Sequence, residues 1–126
     1  ASGGIEMMKM AKKNSGKSKI IAVTVLTSNK SKSAGKEVLK LAKDALKAGV
    51  DGVVCSGHEL RVISKLKGMK SKLKIVPGIR PSWYTKVDDQ SRTMTPGEAI
   101  RLGADYLVIG RPITESDNLL KALDNL

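Results

Sequence analysis

The sequence contains no phenylalanine, one tryptophan and two tyrosines. A core for this chain must therefore come from Val, Ile, Leu, Met and Ala, and base-stacking aromatic platforms are excluded. A single cysteine, Cys55, rules out an intrachain disulfide framework and suits a reducing cytoplasm. A single histidine, His58, is accompanied by no Cys or His cluster at metal-ligand spacing. Asp88 and Asp89 alone do not make a metal site, so no metal is expected. No apolar run approaches the ~18 residues of a membrane span, and no charged-then-apolar leader opens the chain. Membrane partners are not expected.

What is present is enough for one domain over residues 1–126. Forty per cent of the residues are hydrophobic, which suffices for one core. The net charge of +11 is lopsided. Residues 1–74 carry 17 Lys/Arg against 5 Asp/Glu, whereas residues 75–126 carry 6 against 7. A basic half invites a nucleic-acid reading. The lysines interleave with core positions, however, as they do on the solvated faces of helices. No nucleic-acid partner is expected.

Apolar runs alternate with helical periods. A helix is predicted over 4–13, with Ser2–Gly4 as a candidate cap, and a β-branched strand over 20–26. Residues 34–49 form the clearest helix. Val38, Leu41, Ala42, Ala45 and Leu46 share one face, lysines lie opposite, and Gly49 suits the end. A strand over 52–56, a helix over 58–68 ended by Gly68, and a strand over 73–79 follow. After the polar loop "RPSWYTKVDDQSRTM" come a helix over 95–103 opened by Thr95 and Pro96, a strand over 105–110, and a helix over 116–123. Continuously apolar strands alternating with helices imply a parallel sheet covered by helices. "KAGVDGVVCS" (47–56) and "RLGADYLVIG" (101–110) form a weak repeat: a glycine ends a helix, an acid sits in the tight turn, and a strand follows. Four βα units are half of a (β/α)8 barrel. An open sheet of four strands would leave two edges and an inner face uncovered, so a further segment or chain is expected against it. The chain's start at Ala1, without Met, reads as mid-protein.

In βα folds ligands bind at the carboxyl ends of the strands. Two of these ends suit an anion. Gly110 lets backbone N–H groups approach a phosphate oxygen, the turn of helix after it presents N–H groups, and Arg111 adds a charged donor. At "PGIRP", Gly78 opens the backbone and Arg80 can form charge-assisted bonds. The loop that follows suits a lid, with the Gln90 amide as a double-duty donor and acceptor. Singly, Gly110 reads equally as a helix-entry glycine, and the arginines as surface charges. Together, after the last two strands, they point to a phosphate. Thr27 and Ser28 read as readily as turn residues as ligand contacts. His58 reads as a cap or surface residue, and Cys55 as a packed thiol.

The strings "ASGG", "AVTVLTS" (22–28), "GVDGVVCS" (49–56), "IVPGIRP" (75–81) and "DDQSRTMTPGEAIRLGADYLVIGRPIT" (88–114), in this order, resemble the bacterial type of the orotidine 5′-phosphate decarboxylase family. The resemblance runs from residue 1 to the end. It implies a dimeric (β/α)8 TIM barrel that converts orotidine 5′-phosphate to UMP and CO2 in pyrimidine synthesis, as a carboxy-lyase of the cytoplasm without metal or organic cofactor. This chain would supply strands five to eight. The resemblance makes Thr27 a substrate contact and places Pro77 beside the pyrimidine. It assigns Arg80, Gln90, Gly110 and Arg111 to the phosphate grip.

One departure is large. The family's chemistry rests on a Lys/Asp network with a D-x-K-x-x-D motif at the third strand, and no such motif occurs in these 126 residues. No catalytic residue is expected in this chain. The resemblance implies that the N-terminal half of the barrel is its partner and that the isolated chain is inactive. The alternative is a self-associating half-barrel that binds phosphate ligands without catalysis.

Overall fold

The structure, a computed structural model, describes residues 1–25, 34–85 and 92–126. Helix α1 (Gly4–Lys13) precedes strand β1 (Ile21–Val23). Then come α2 (Ala34–Ala48), β2 (Gly52–Val54), α3 (Gly57–Ile63), β3 (Leu73–Val76), α4 (Pro96–Arg101), β4 (Tyr106–Leu107), a one-turn helix α5 (Arg111–Thr114) and α6 (Leu119–Asp124). The four strands form one sheet in the order β1-β2-β3-β4, and every pairing is parallel. The helix-then-βα order read from the sequence is the order observed.

The strands are shorter than their apolar runs because ladder pairing stops before the runs do. Single bonds continue beyond them: Thr24 N–H to Val54 O, Cys55 N–H to Ile75 O, and Val108 N–H to Val76 O. The helix expected over 58–68 ends at Ile63. The Lys65 and Leu66 amides then bond three residues back, to Val62 and Ile63. This tighter winding carries the chain to Gly68 and a 3-10 turn at Met69–Ser71, where Met69 is fully buried. Ser2 does not cap α1; Gly3 occupies that position with no side-chain bond. Thr95 does cap α4, in a reciprocal box with Glu98 and with Pro96 beside it.

Register sorts the sheet's two faces. Ala22, Val53 and Lys74 lie in one row across the strands. Ala22 and Val53 pack into the core with Val38, Ala42 and Ala45 of α2 and with Leu60 and Ile63 of α3. Each fully buried Leu, Ile or Val there contributes about 1.5–3 kcal/mol of transfer free energy. The opposite row runs Val23–Val54–Ile75–Tyr106 across all four strands. Among the described residues this face is poorly covered: Val23 is 44% exposed, Tyr106 56% and Val108 49%. The uncovered inner face expected from the sequence is thus observed.

The internal repeat has a structural meaning. Gly49 and Gly103 both adopt a left-handed φ, +76° and +96°, as the chain leaves α2 and α4. The acid two residues later then reaches back to the strand next door. Asp51 Oδ2 accepts the Ile20 N–H at 2.7 Å, and Asp105 Oδ2 accepts the Lys74 N–H at 2.8 Å. Each carboxylate also holds an ammonium: Lys12 on Asp51, and the buried Lys74 on Asp105, both at 2.7 Å. The Lys12 bond, then the Ile20 N–H, keeps the Asp51 carboxyl below its ordinary pKa. Burial pushes Asp105 up, but the Lys74 ammonium and N–H outweigh it and the carboxyl titrates low.

Candidate functional site at the carboxyl ends of β3 and β4

Val76 of β3 pairs with Leu107 of β4, and the Val108 N–H bonds Val76 O at 2.9 Å. The two chains therefore leave the sheet side by side. Arg80 and Arg111 each stand four residues past that pair. The sequence-predicted Pro77, Arg80, Gly110 and Arg111 thus occupy one end of one strand pair. Thr27 and Gln90 lie outside the described residues, as do Ser28, Asp88 and Asp89.

Pro77 is half-buried, and Gly78 turns the chain with φ +76°, a region an L side chain rarely enters. Ile79 is fully buried and forms an isolated bridge with Met94, and the Arg80 N–H bonds Met94 O at 2.9 Å. The ends of the loop that follows β3 are thereby stapled together. Arg80 is half-buried; its Nη1 donates to Ile79 O at 2.9 Å, and its guanidinium lies 5.5 Å from the Tyr84 ring centroid. This is a cation–π distance. The Tyr84 hydroxyl in turn meets Glu115 Oε2 at 3.4 Å, beyond α5. The loop after β3 thus leans over the segment after β4.

Gly110 is exposed, and nothing lies within 4 Å of where a Cβ would stand. Its carbonyl accepts the Ile113 and Thr114 amides at 2.8 and 3.1 Å. Pro112 has no N–H. An anion at this turn would therefore meet the amides of Gly110 and Arg111 and the Arg111 guanidinium. Because α5 is a single turn, its dipole adds little. Local donors, with the arginines, carry the electrostatics here.

Other candidates resolve clearly. Cys55 is 1% exposed, and its thiol is pushed up to about 12, first by burial and then by the Glu59 charge. It is a packed thiol, not a nucleophile. His58 is exposed, with Nε2 3.3 Å from Thr93 O. A cavity of about 520 Å³ lies between Trp83 and α6, lined by Asp117, Asn118 and Lys121 among others. Of the described sequence-predicted residues, Pro77, Arg80, Gly110 and Arg111, none lines it. A barrel-mouth site is a concavity only when the ring is complete, so a half-ring offers its donors on an open surface. Sequence reasoning missed the Tyr84–Glu115 contact and an ion pair between Arg92 and Glu59, which join residues more than thirty positions apart. No local pattern signals either. Among the described residues no helix is long and apolar enough to cross a membrane.

The sequence is 46% identical to orotidine 5′-phosphate decarboxylase from Tolumonas auensis over 98% of this chain and 59% of that protein. It is 46% identical to the enzyme of the same name from Haemophilus influenzae, over 100% of this chain and 60% of the relative. The chain thus spans about 60% of the length of these curated relatives. The fold is similar to the crystal structure of orotidine 5′-phosphate decarboxylase from Lactobacillus acidophilus, with TM-score 0.76 and 33% identity, over 97% of this chain and 57% of that one. The structural relatives are TIM barrels, of which this four-stranded sheet covers about half. The family model described as orotidine 5′-phosphate decarboxylase / HUMPS matches residues 1–126, and the chain belongs to that family.

Proposed function

We propose that this chain is the substrate-gripping half, strands five to eight, of an orotidine 5′-phosphate decarboxylase. The observation that supports the reading is the matched offset of Arg80 and Arg111 past the Val76–Leu107 pair. Two guanidinium groups at adjacent strand ends, with the Gly110 amide between them in sequence space, suit a phosphate dianion. Pro77, at the start of the same turn, suits the pyrimidine, and Thr27 a further substrate contact. The loop from residue 80 suits a lid, and Gln90 on it a further phosphate contact. The partner is the N-terminal half of the barrel, lying against the Val23–Val54–Ile75–Tyr106 row and carrying the Lys/Asp network. The whole enzyme is a cytoplasmic homodimer.

In this mechanism the chemistry is direct decarboxylation. The substrate carboxylate is lost against a neighbouring Asp, and a Lys ammonium stabilises the carbanion at C6 and then protonates it, giving UMP and CO2. Both groups belong to the other half. This chain's residues hold the phosphate, and binding energy from that remote group favours the closed, reactive complex.

The test is complementation. The chain is mixed with a fragment bearing strands one to four and the D-x-K-x-x-D motif, and UMP formation from orotidine 5′-phosphate is followed. Activity should appear in the mixture and in neither part alone. Arg80→Ala and Arg111→Ala should each weaken UMP binding roughly 10- to 100-fold, as expected for a charged hydrogen bond. A well-folded mixture without activity would refute the reading.

The exposure of Val23, Tyr106 and Val108 favours a second reading, a half-barrel whose inner face meets a second copy and which binds phosphate without catalysis. Sedimentation separates the two. A dimer of this chain that the N-terminal fragment cannot displace would favour the second reading.

A further inference from the structure

The start of α3 and the end of the β3–α4 loop meet residue by residue in reverse order. Gly57 faces Met94 so closely that a Cβ there would fall 2.6 Å from Met94 Sδ. His58 Nε2 lies 3.3 Å from Thr93 O. Glu59 Oε1 accepts Arg92 Nη1 at 2.5 Å, both side chains only 14% exposed. On its other side Met94 is bridged to Ile79 and accepts the Arg80 N–H at 2.9 Å. Met94 is thus held between α3 and the backbone from which Arg80 projects.

A buried ion pair is weak evidence for stability, because desolvation offsets most of its attraction. It does fix geometry, since either charge alone in that place is costly. Glu59 Oε2 is buried and takes no hydrogen bond among the described residues, so Arg92 compensates the Glu59 charge. Neither residue is among the proposed phosphate contacts, although Arg92 belongs to the loop that follows β3.

We infer that the Glu59–Arg92 pair is a positioning device. It locks Arg92–Met94 onto the first turn of α3 and, through Met94, sets the backbone of Arg80. Only the role of Arg80 rests on the phosphate reading above; the clasp itself does not.

The experiment uses the full 126-residue chain with Glu59→Gln, Glu59→Asp and Arg92→Lys. Amide hydrogen exchange is read at Arg80, bonded to Met94 O, and at Val108, bonded to Val76 O, as the internal reference. Glu59→Gln should speed exchange at Arg80 at least tenfold and leave Val108 within about twofold, and Arg92→Lys should keep most of the protection. Glu59→Asp, which keeps the charge but shortens the reach, should fall between and serves if Glu59→Gln does not fold. UMP affinity should drop about tenfold in Glu59→Gln, and the loss should not add to that of Arg80→Ala. An unchanged Arg80 amide, or equal acceleration at Arg80 and Val108, would overturn the inference. If neither the wild-type chain nor its mixture with the N-terminal fragment binds UMP, the phosphate reading fails, and the exchange data alone decide the clasp.

Discussion

Replacing Asp51 by alanine should cost the fold about 2–3 kcal/mol, and the structure supplies the parts of that figure. Asp51 Oδ2 accepts the Ile20 N–H at 2.7 Å, and its two oxygens hold Lys12 Nζ at 2.8 and 2.7 Å. Stranding a partly buried N–H costs about 1–3 kcal/mol. The Lys12 pair is partly exposed, at 35% and 26%, so screening holds it to about 0.2–1 kcal/mol. Asp51→Asn keeps an oxygen for the Ile20 N–H and forfeits the ammonium, and should cost about 1 kcal/mol on the same scale. Acid separates charge from shape. The folded Asp51 carboxyl titrates below its unfolded value, so its contribution is complete above about pH 4 and fades as pH falls through the folded pKa. The difference between wild type and Asp51→Asn should therefore shrink on acidification, because the amide does not titrate. Urea midpoints of the three proteins at pH 7 and pH 3 measure this. Asp51→Ala within about 0.5 kcal/mol of wild type, the ordinary scatter of surface changes, would refute the strand-staple reasoning.

Two further outcomes follow from the packing. Gly52→Ala should destabilise by about 1–3 kcal/mol through overpacking, since its Cβ would fall 2.5 Å from the Leu73 carbonyl oxygen in the middle of the sheet; a urea midpoint equal to wild type would contradict the close approach. Cys55, buried with its thiol raised to about 12, should resist thiol reagents at pH 8 and label only as fast as the chain unfolds; rapid stoichiometric labelling of folded protein would show the thiol to be accessible.

The fold was legible where one local signal sufficed. The lysine-backed face of α2, the Thr95–Pro96 start of α4 and the glycines after α2 and α4 each report their own neighbourhood. Element order followed from these, and with it the parallel sheet. Strand lengths were not legible, because an apolar run such as 20–26 reports burial while a ladder reports a neighbour. The start of α6 shifted to Leu119 because the Asn118 side chain caps it, accepting the Lys121 N–H at 3.0 Å. At the candidate site, Arg80, Gly110 and Arg111 were read from strand-end position and residue type, and Pro77 from the family resemblance. The pairings that arrange them, Met94 with Arg80 and Arg92 with Glu59, join segments that touch only once the sheet exists.

The acid staples of Asp51 and Asp105 stand where their strands begin; Arg80 and Arg111 stand where theirs have ended. Alignment of the strands is therefore decided at one rim, and the proposed phosphate contacts stand at the other. On that reading, exchanging residues in the loops after β3 and β4 should change what is bound without unsettling which strand lies against which. A scaffold arranged this way can trade one ligand for another while its strands stay in step.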